Sequence, residues 1–141
     1  MRVEIINTGN MNPKVYLDGV RLRRNFNLES SRALYFSKDY VVKLEDTESF
    51  LNQCRRERQN WKKLKKKYGR FFAPTLHYGK QKGWEYVVQP RIGFKKLVVE
   101  EHEDLDFLMD ILEKYDIRDC DGGYNIGLTK DNKILCYDYG V

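Results

Sequence analysis

What this chain lacks narrows it first. Its three cysteines, Cys54, Cys120 and Cys136, are odd in number and widely spaced, with no ligand-like grouping. That argues against a disulfide framework and a zinc site, and points to reduced thiols and a cytoplasmic location. No apolar run approaches the roughly 20 residues that a bilayer-spanning helix needs. The opening MRVEIINTGN has no signal-peptide build, so no membrane association is expected. Internal repeats and low-complexity linkers are absent too, and 41% apolar with 33% charged residues is not a disordered composition. At 141 residues the chain is expected to be one domain with a core large enough to fold unaided.

Acidic residues are scarce over the front of the chain. Residues 1–96 hold 22 Lys and Arg against 9 Asp and Glu, a balance of +13. Residues 97–141 hold 4 against 12, a balance of −8, within a net charge of +5. A basic front and an acidic back suit a dipolar monomer, a head-to-tail homodimer contact, or a cleft between unlike lobes. The densest basic run is Arg55 to Arg70, RRERQNWKKLKKKYGR, with nine cations and one acid. Such a run suits a nucleic-acid backbone, an acidic protein, or simply a solvated outer face.

In chain order, the first 45 residues read as short strands. Arg2–Asn7 alternates polar and apolar, Lys14–Leu17 follows, and Asp18-Gly19 is a hairpin signal leading into Val20–Phe26. Ala33–Phe36 and Tyr40–Leu44 complete a small antiparallel sheet. A long helix is expected from about Thr47 to Tyr68, capped by Asp46 or Thr47 and closed by Gly69. Its apolar positions Phe50, Cys54, Trp61, Leu64 and Tyr68 share one face, and so does Glu57. Trp61 and Tyr68 therefore read as core rather than as stacking platforms. An ionised carboxylate within a buried stripe is costly unless something pairs with it. Lys43 is the natural candidate: in DYVVKLED it points away from Val42 and Leu44, with Val41 and Glu45 on its own face. The alternative is that Glu57 escapes at the edge of the stripe.

Beyond Gly69, Thr75–Lys80 and Trp84–Pro90 read as strands joined by a Lys82-Gly83 turn, and Lys95–Glu101 as an extended connector. Glu103–Tyr115 is expected as a second helix with Leu105, Leu108, Leu112 and Tyr115 on one face. The remaining stretch, DIRDCDGGYNIGLTKDNKILCYDYGV, reads as a loop and a hairpin: strand Ile126–Leu128, turn Asp131-Asn132, strand Ile134–Tyr137. Pairing would set Asn125 beside Asp138, two oxygen donors of the kind magnesium takes. Asp and Asn also flank strands simply as turn residues.

The order of these pieces resembles the protein-kinase-like superfamily. VVKLE around Lys43 is similar to that family's Val-Ala-x-Lys strand, and RRERQNWKKL around Glu57 to its C helix. EYVVQPRIG is similar to the last small-lobe strand and hinge, IRDCDGGYNIGL to the catalytic loop, and CYDYG to Asp-Phe-Gly. The likeness covers roughly residues 26–141. It implies an α+β fold with a small lobe over 26–93, an antiparallel sheet plus a C-type helix. It also implies a rudimentary large lobe over 94–141, one helix and the catalytic-loop hairpin, while residues 1–25 add an N-terminal hairpin.

The resemblance implies roles as well. Lys43, held by Glu57, would contact the α- and β-phosphates of ATP, and Asn125 and Asp138 would hold Mg2+. The backbone from Gln89 through Arg91 to Gly93 would meet the adenine, with Val41 and Leu128 as apolar neighbours. Ser30 and Ser31 stand in the phosphate loop, LESSRA, where the family has Gly-x-Gly-x-x-Gly. The catalytic acid would be Asp119 or Asp121. The family places it five residues before the Asn, where this chain has Cys120, and the Arg118-Asp119 pair favours Asp119. A chain ending just after Gly140 would carry neither an activation segment nor a helical large lobe. Three readings follow: a minimal kinase that borrows a protein partner or a dimer mate, a pseudokinase that binds another protein, or a relic scaffold.

Overall fold

The structure, a computed structural model, describes residues 1–9, 12–25, 31–95, 102–118 and 125–140. Two compact units divide the chain: Met1–Cys54 with Leu76–Arg91, and Arg55–Thr75 with Ile92–Val141. Among the described residues the fold is mixed α+β, with mostly antiparallel sheets and two helices.

The first unit holds two sheets. Strands β1 (Val3–Ile6), β2 (Lys14–Leu17) and β3 (Val20–Arg21) form an antiparallel meander. The Asp18-Gly19 turn has φ of 49° and 80°, the paired left-handed backbone that a tight two-residue hairpin demands. Strands β4 (Arg23–Arg24), β5 (Ala33–Phe36), β6 (Tyr40–Asp46), β7 (His77–Gln81) and β8 (Trp84–Pro90) form the larger sheet, in the order β4-β5-β6-β8-β7. The expected strand Val20–Phe26 is in fact two short pieces, with its final residue outside the described ones. The chain changes sheet at Leu22: β3 pairs with β2, β4 pairs with β5, and the Leu22 side chain is buried in the core beside both. That core takes the alternate residues Val3 and Ile5, Val15 and Leu17, Val42 and Leu44, and Tyr86 and Val88.

The second unit is built on α1 (Gln53–Tyr68), which begins in the first unit and continues here from Arg55. It runs into a 3-10 turn, Gly69–Phe71, and is joined by β9 (Phe94–Lys95), α2 (Leu105–Lys114), β10 (Ile126–Thr129) and β11 (Ile134–Cys136). The three strands form an antiparallel sheet in the order β11-β10-β9. Gly127 lies so close under the Phe94 ring that an added Cβ would collide with it. Leu64, Tyr68, Phe71 and Phe72 pack with Leu108, Ile111 and Leu112 of α2 and with Ile134 and Tyr139. Of the expected connector Lys95–Glu101, all but Lys95 lies outside the described residues.

Helix α1 starts at Gln53 rather than Thr47. Residues 47–52 are turn and bend, and Asn52 is left-handed at φ 49°. Its cap is neither Asp46 nor Thr47 but Glu45 of β6, whose two carboxylate oxygens accept the N–H groups of Gln53 and Cys54 at 3.1 Å each. A helix start bound by a strand carboxylate needs no local cap. Phe50, expected on the buried stripe, consequently stands outside the helix and is 97% exposed.

Tyr35 fastens the meander to the larger sheet within the first unit. Its ring is buried, and its hydroxyl donates to the Pro13 carbonyl at 2.7 Å. Burial pushes the phenol above its usual range, while Arg24 pulls the other way. The unfolded chain then releases this proton first, so its contribution is intact below pH 10 and fades above it. Tyr35→Phe is expected to lower unfolding free energy by about 1–2 kcal/mol at neutral pH, because the Pro13 carbonyl loses its donor. Urea titrations should show that loss, and a smaller further fall above pH 10 in the variant than in the wild type.

Candidate functional site

In the first unit, strand alternation sorts the candidates. Register pairs Val41 with Gln89, Lys43 with Val87 and Glu45 with Glu85 across β6 and β8. Val42 and Leu44 enter the core on one face. Val41, Lys43 and Gln89 therefore share the opposite face, with Glu45 and Glu85 further along it. Lys43 is 6% exposed and Gln89 2%, so this face holds polar groups largely shielded from water. The start of α1 lies on the same face: Glu45 caps it, and the Cys54 thiol reaches the carbonyls of Lys43 and Glu85 at 3.6 and 3.7 Å. Glu85 accepts the Tyr78 hydroxyl at 3.1 Å and pairs with Lys80 at 3.5 Å.

Ser31 lies just before β5, and its hydroxyl donates to Gln53 Oε1 at 2.8 Å. Arg32 beside it is buried, its guanidinium 3.8 Å from the Cys54 sulfur. Arg91 follows β8. Its backbone N–H meets the Asp39 carbonyl at 2.7 Å, its guanidinium donates to the Ser37 carbonyl at 2.9 Å, and it covers the Phe36 ring. Ser30, Asp119 and Asp121 lie outside the described residues.

In the second unit the terminal hairpin forms, but one residue out of the expected register. Thr129 and Lys133 flank a three-residue loop, with Asn132 left-handed at φ 60°, rather than a two-residue Asp131-Asn132 turn. Asn125 therefore does not pair with Asp138. Ile126 faces Cys136, and the Tyr137 N–H donates to the Asn125 carbonyl at 3.0 Å. Asn125, left-handed at φ 61°, thus stands opposite Tyr137, with Asp138 one residue further. An amide and a carboxylate are brought to one end of the hairpin. Leu128 of β10 is buried against this sheet. Among the described residues no group of three or more His, Cys, Asp or Glu is arranged as a metal centre. A cation held here would rest on the Asn125 and Asp138 oxygens, a donor pair that suits magnesium when its other ligands are waters or phosphates.

Tyr139 fixes that end of the chain. Its N–H donates to Glu57 Oε2 at 3.0 Å, and its carbonyl accepts from Asn60 Nδ2 at 2.7 Å. Glu57 and Asn60 are one helical turn apart on α1, so the helix grips the backbone on both sides of the Tyr139 Cα. The Tyr139 hydroxyl donates to the Ala73 carbonyl at 2.6 Å and sits 2.9 Å from Thr75 Oγ1. Its ring is fully buried, edge-on to Phe72 at 5.2 Å. Glu57 itself is 0% exposed, so the carboxylate does lie within the buried stripe of α1. Sequence reasoning passed over Tyr139, Asn60 and Glu45. The available signals were an aromatic flanked by Asp138 and Gly140, an amide three residues after Glu57, and a carboxylate on the Lys43 face.

The nine cations of Arg55 to Arg70 are all exposed, while Trp61 is half-buried and Tyr68 buried in the second unit's core. No helix among the described residues is long and apolar enough to cross a membrane.

No protein-family model and no curated protein matches the sequence. Among solved structures, the chain is similar to the bifunctional kinase-methyltransferase WbdD, with a TM-score of 0.50 and 19% identity over 78% of this chain. The match covers 29% of that chain, so this sequence spans less than a third of its length. WbdD bound to the kinase inhibitor LY294002 is also matched, at a TM-score of 0.48 and 17% identity over 99% of this chain and 40% of that one. At such identity the first likeness speaks for the fold alone: this mixed α+β arrangement has a counterpart within a kinase-containing protein.

Replacing Glu57 tests the grip on Tyr139. Glu57→Ala leaves a buried N–H without this acceptor and opens a cavity, and should cost about 2–4 kcal/mol in denaturant unfolding. Glu57→Gln keeps an acceptor oxygen of the same reach and should cost less than half of that.

Proposed function

We propose that this chain is a kinase-like nucleotide-binding protein that acts on or through another protein, by Mg-ATP-dependent phosphotransfer or as a pseudokinase. The observation that carries the reading is the end of the terminal hairpin. An amide and a carboxylate, Asn125 and Asp138, are set by strand register and held by a fully buried Tyr139. The order of elements and the fold likeness support it, with 26–93 read as a small lobe and 94–141 as a reduced large lobe.

Lys43 is assigned to the α- and β-phosphates. A buried lysine on a central strand is pre-positioned, with little side-chain entropy left to lose on binding. The sheet face shared by Val41 and Gln89 would receive the adenine side of the ligand, the backbone of Gln89 to Gly93 supplying hydrogen bonds and Leu128 an apolar contact. The Arg91 guanidinium is engaged with Ser37 and Phe36, so Arg91 is assigned a backbone role. Ser30 and Ser31 are assigned to the phosphate loop. Asn125 and Asp138 are assigned to magnesium, which would neutralise charge on the phosphates during transfer. Asp119 or Asp121 would orient the acceptor.

A second reading rests on the exposure of all nine cations of the Arg55–Arg70 run: α1 docks an acidic protein surface. The two readings are compatible if the chain is a pseudokinase.

Calorimetric titration of ATP with and without magnesium separates them. The wild type is expected to bind ATP only with magnesium present. Lys43→Ala and Asp138→Ala should each weaken binding about tenfold or more, the size of one lost charge-assisted contact. No heat of binding at millimolar ATP would overturn the nucleotide reading and leave the docking surface.

A further inference from the structure

The first unit carries a second concentration of positive charge, far in sequence from α1. Two cavities, of about 710 and 660 Å³, adjoin the segment Val20 to Arg24. Arg21, Arg23 and Arg24 line both of them. The first adds Lys14, and the second adds Lys38 and Arg91. Six cations thus surround two neighbouring concavities, and none of their described lining residues is a carboxylate.

The local fold makes this arrangement. Because the chain passes from one sheet to the other at Leu22, that side chain is buried and Arg21 and Arg23 on either side of it stand exposed. Arg24 and Arg91 are steadied by the rings of Tyr35 and Phe36, at 5.8 and 5.3 Å to the ring centres. Gathering like charges is costly unless an anion offsets them. Four of the six are arginines, whose planar forks match phosphate oxygens. Each cavity is far larger than one phosphate, and because Arg21, Arg23 and Arg24 line both, a ligand with several anionic groups matches them better than a single anion. A flexible phosphodiester chain meets that requirement. A duplex holds its phosphates at fixed spacing on a convex rod, whereas a single strand can adapt to two neighbouring concavities. Tyr35 is buried and Phe36 covered by Arg91, so contact would be with the backbone of the strand rather than by base stacking.

We propose that the face around Val20–Arg24 is a binding site for single-stranded nucleic acid, recognised through its phosphodiester backbone. This site is independent of the nucleotide reading, sharing only Arg91, and there through its side chain.

The test is fluorescence anisotropy with labelled 20-nucleotide RNA and DNA of one sequence, on the full chain, with folding of each variant checked by circular dichroism. Wild type should bind at 50 mM salt, with log affinity falling against log salt at a slope near −4 if all six cations engage phosphates. Arg21→Glu/Arg23→Glu and, separately, Lys14→Glu/Lys38→Glu should each weaken binding about tenfold or more and flatten the slope. Lys62→Glu/Lys65→Glu/Lys66→Glu in α1 should change it less than about threefold. Tighter binding of RNA or of DNA identifies the source of the backbone and supports the site. No binding at 50 mM salt, tighter binding of a duplex, or loss of binding in the α1 variant alone would overturn it.

Discussion

A carboxylate with no access to water constrains much of the second unit. Glu57 is fully buried on α1, and a buried charge persists only where the fold supplies hydrogen bonds to it. One of those comes from the Tyr139 N–H. Satisfying Glu57 therefore places the C-terminal strand end against the helix, and Asn60 completes the grip by taking the Tyr139 carbonyl. Asp138 is the preceding residue, so its backbone is fixed from one side by the hairpin register and from the other by α1. Positional control of this kind is what the magnesium role proposed for Asp138 would need, since small displacements of such groups are costly.

The same economy operates in the first unit, with a different carboxylate. Glu45 closes the start of α1 from a neighbouring strand, and its position on β6 two residues after Lys43 commits both side chains to one sheet face. A single alternation thus gives an apolar core on one side and a protected polar face on the other. Two further charged surfaces remain in water. The cations of α1 are spread along a convex helix, whereas those around Val20–Arg24 gather about concavities. Charge spread on a helix suits a broad acidic surface, and charge gathered at cavities suits an anion that enters them.

Much of this was legible in the residues. Turns at Asp18-Gly19 and Lys82-Gly83, the alternation of β6 and the existence of the terminal hairpin all follow from local rules, because their determinants lie within a few positions of one another. The hairpin's register came out one residue off, because its loop takes three residues rather than two. The phase of α1 also placed Glu57 correctly in the buried stripe. The other failures were non-local. The start of α1 was misread because its cap, Glu45, belongs to a strand. Phe50 was misassigned to the core for the same reason, and the strand from Val20 was read as continuous because nothing in its own sequence reveals a change of sheet at Leu22. One partner of Glu57 within the second unit was invisible as well, since it is a backbone N–H 82 residues away. The choice between Asp119 and Asp121 stays with the proposal.

The hold of Glu57 over Tyr139 governs where Asp138 sits, and hydrogen exchange at the Tyr139 amide measures it most directly. In the wild type that amide should exchange only through global opening, as slowly as the core amides of α1. In Glu57→Ala it should exchange far faster than those same core amides. Rapid exchange of the Tyr139 amide in the wild type would contradict the claim that α1 positions Asp138.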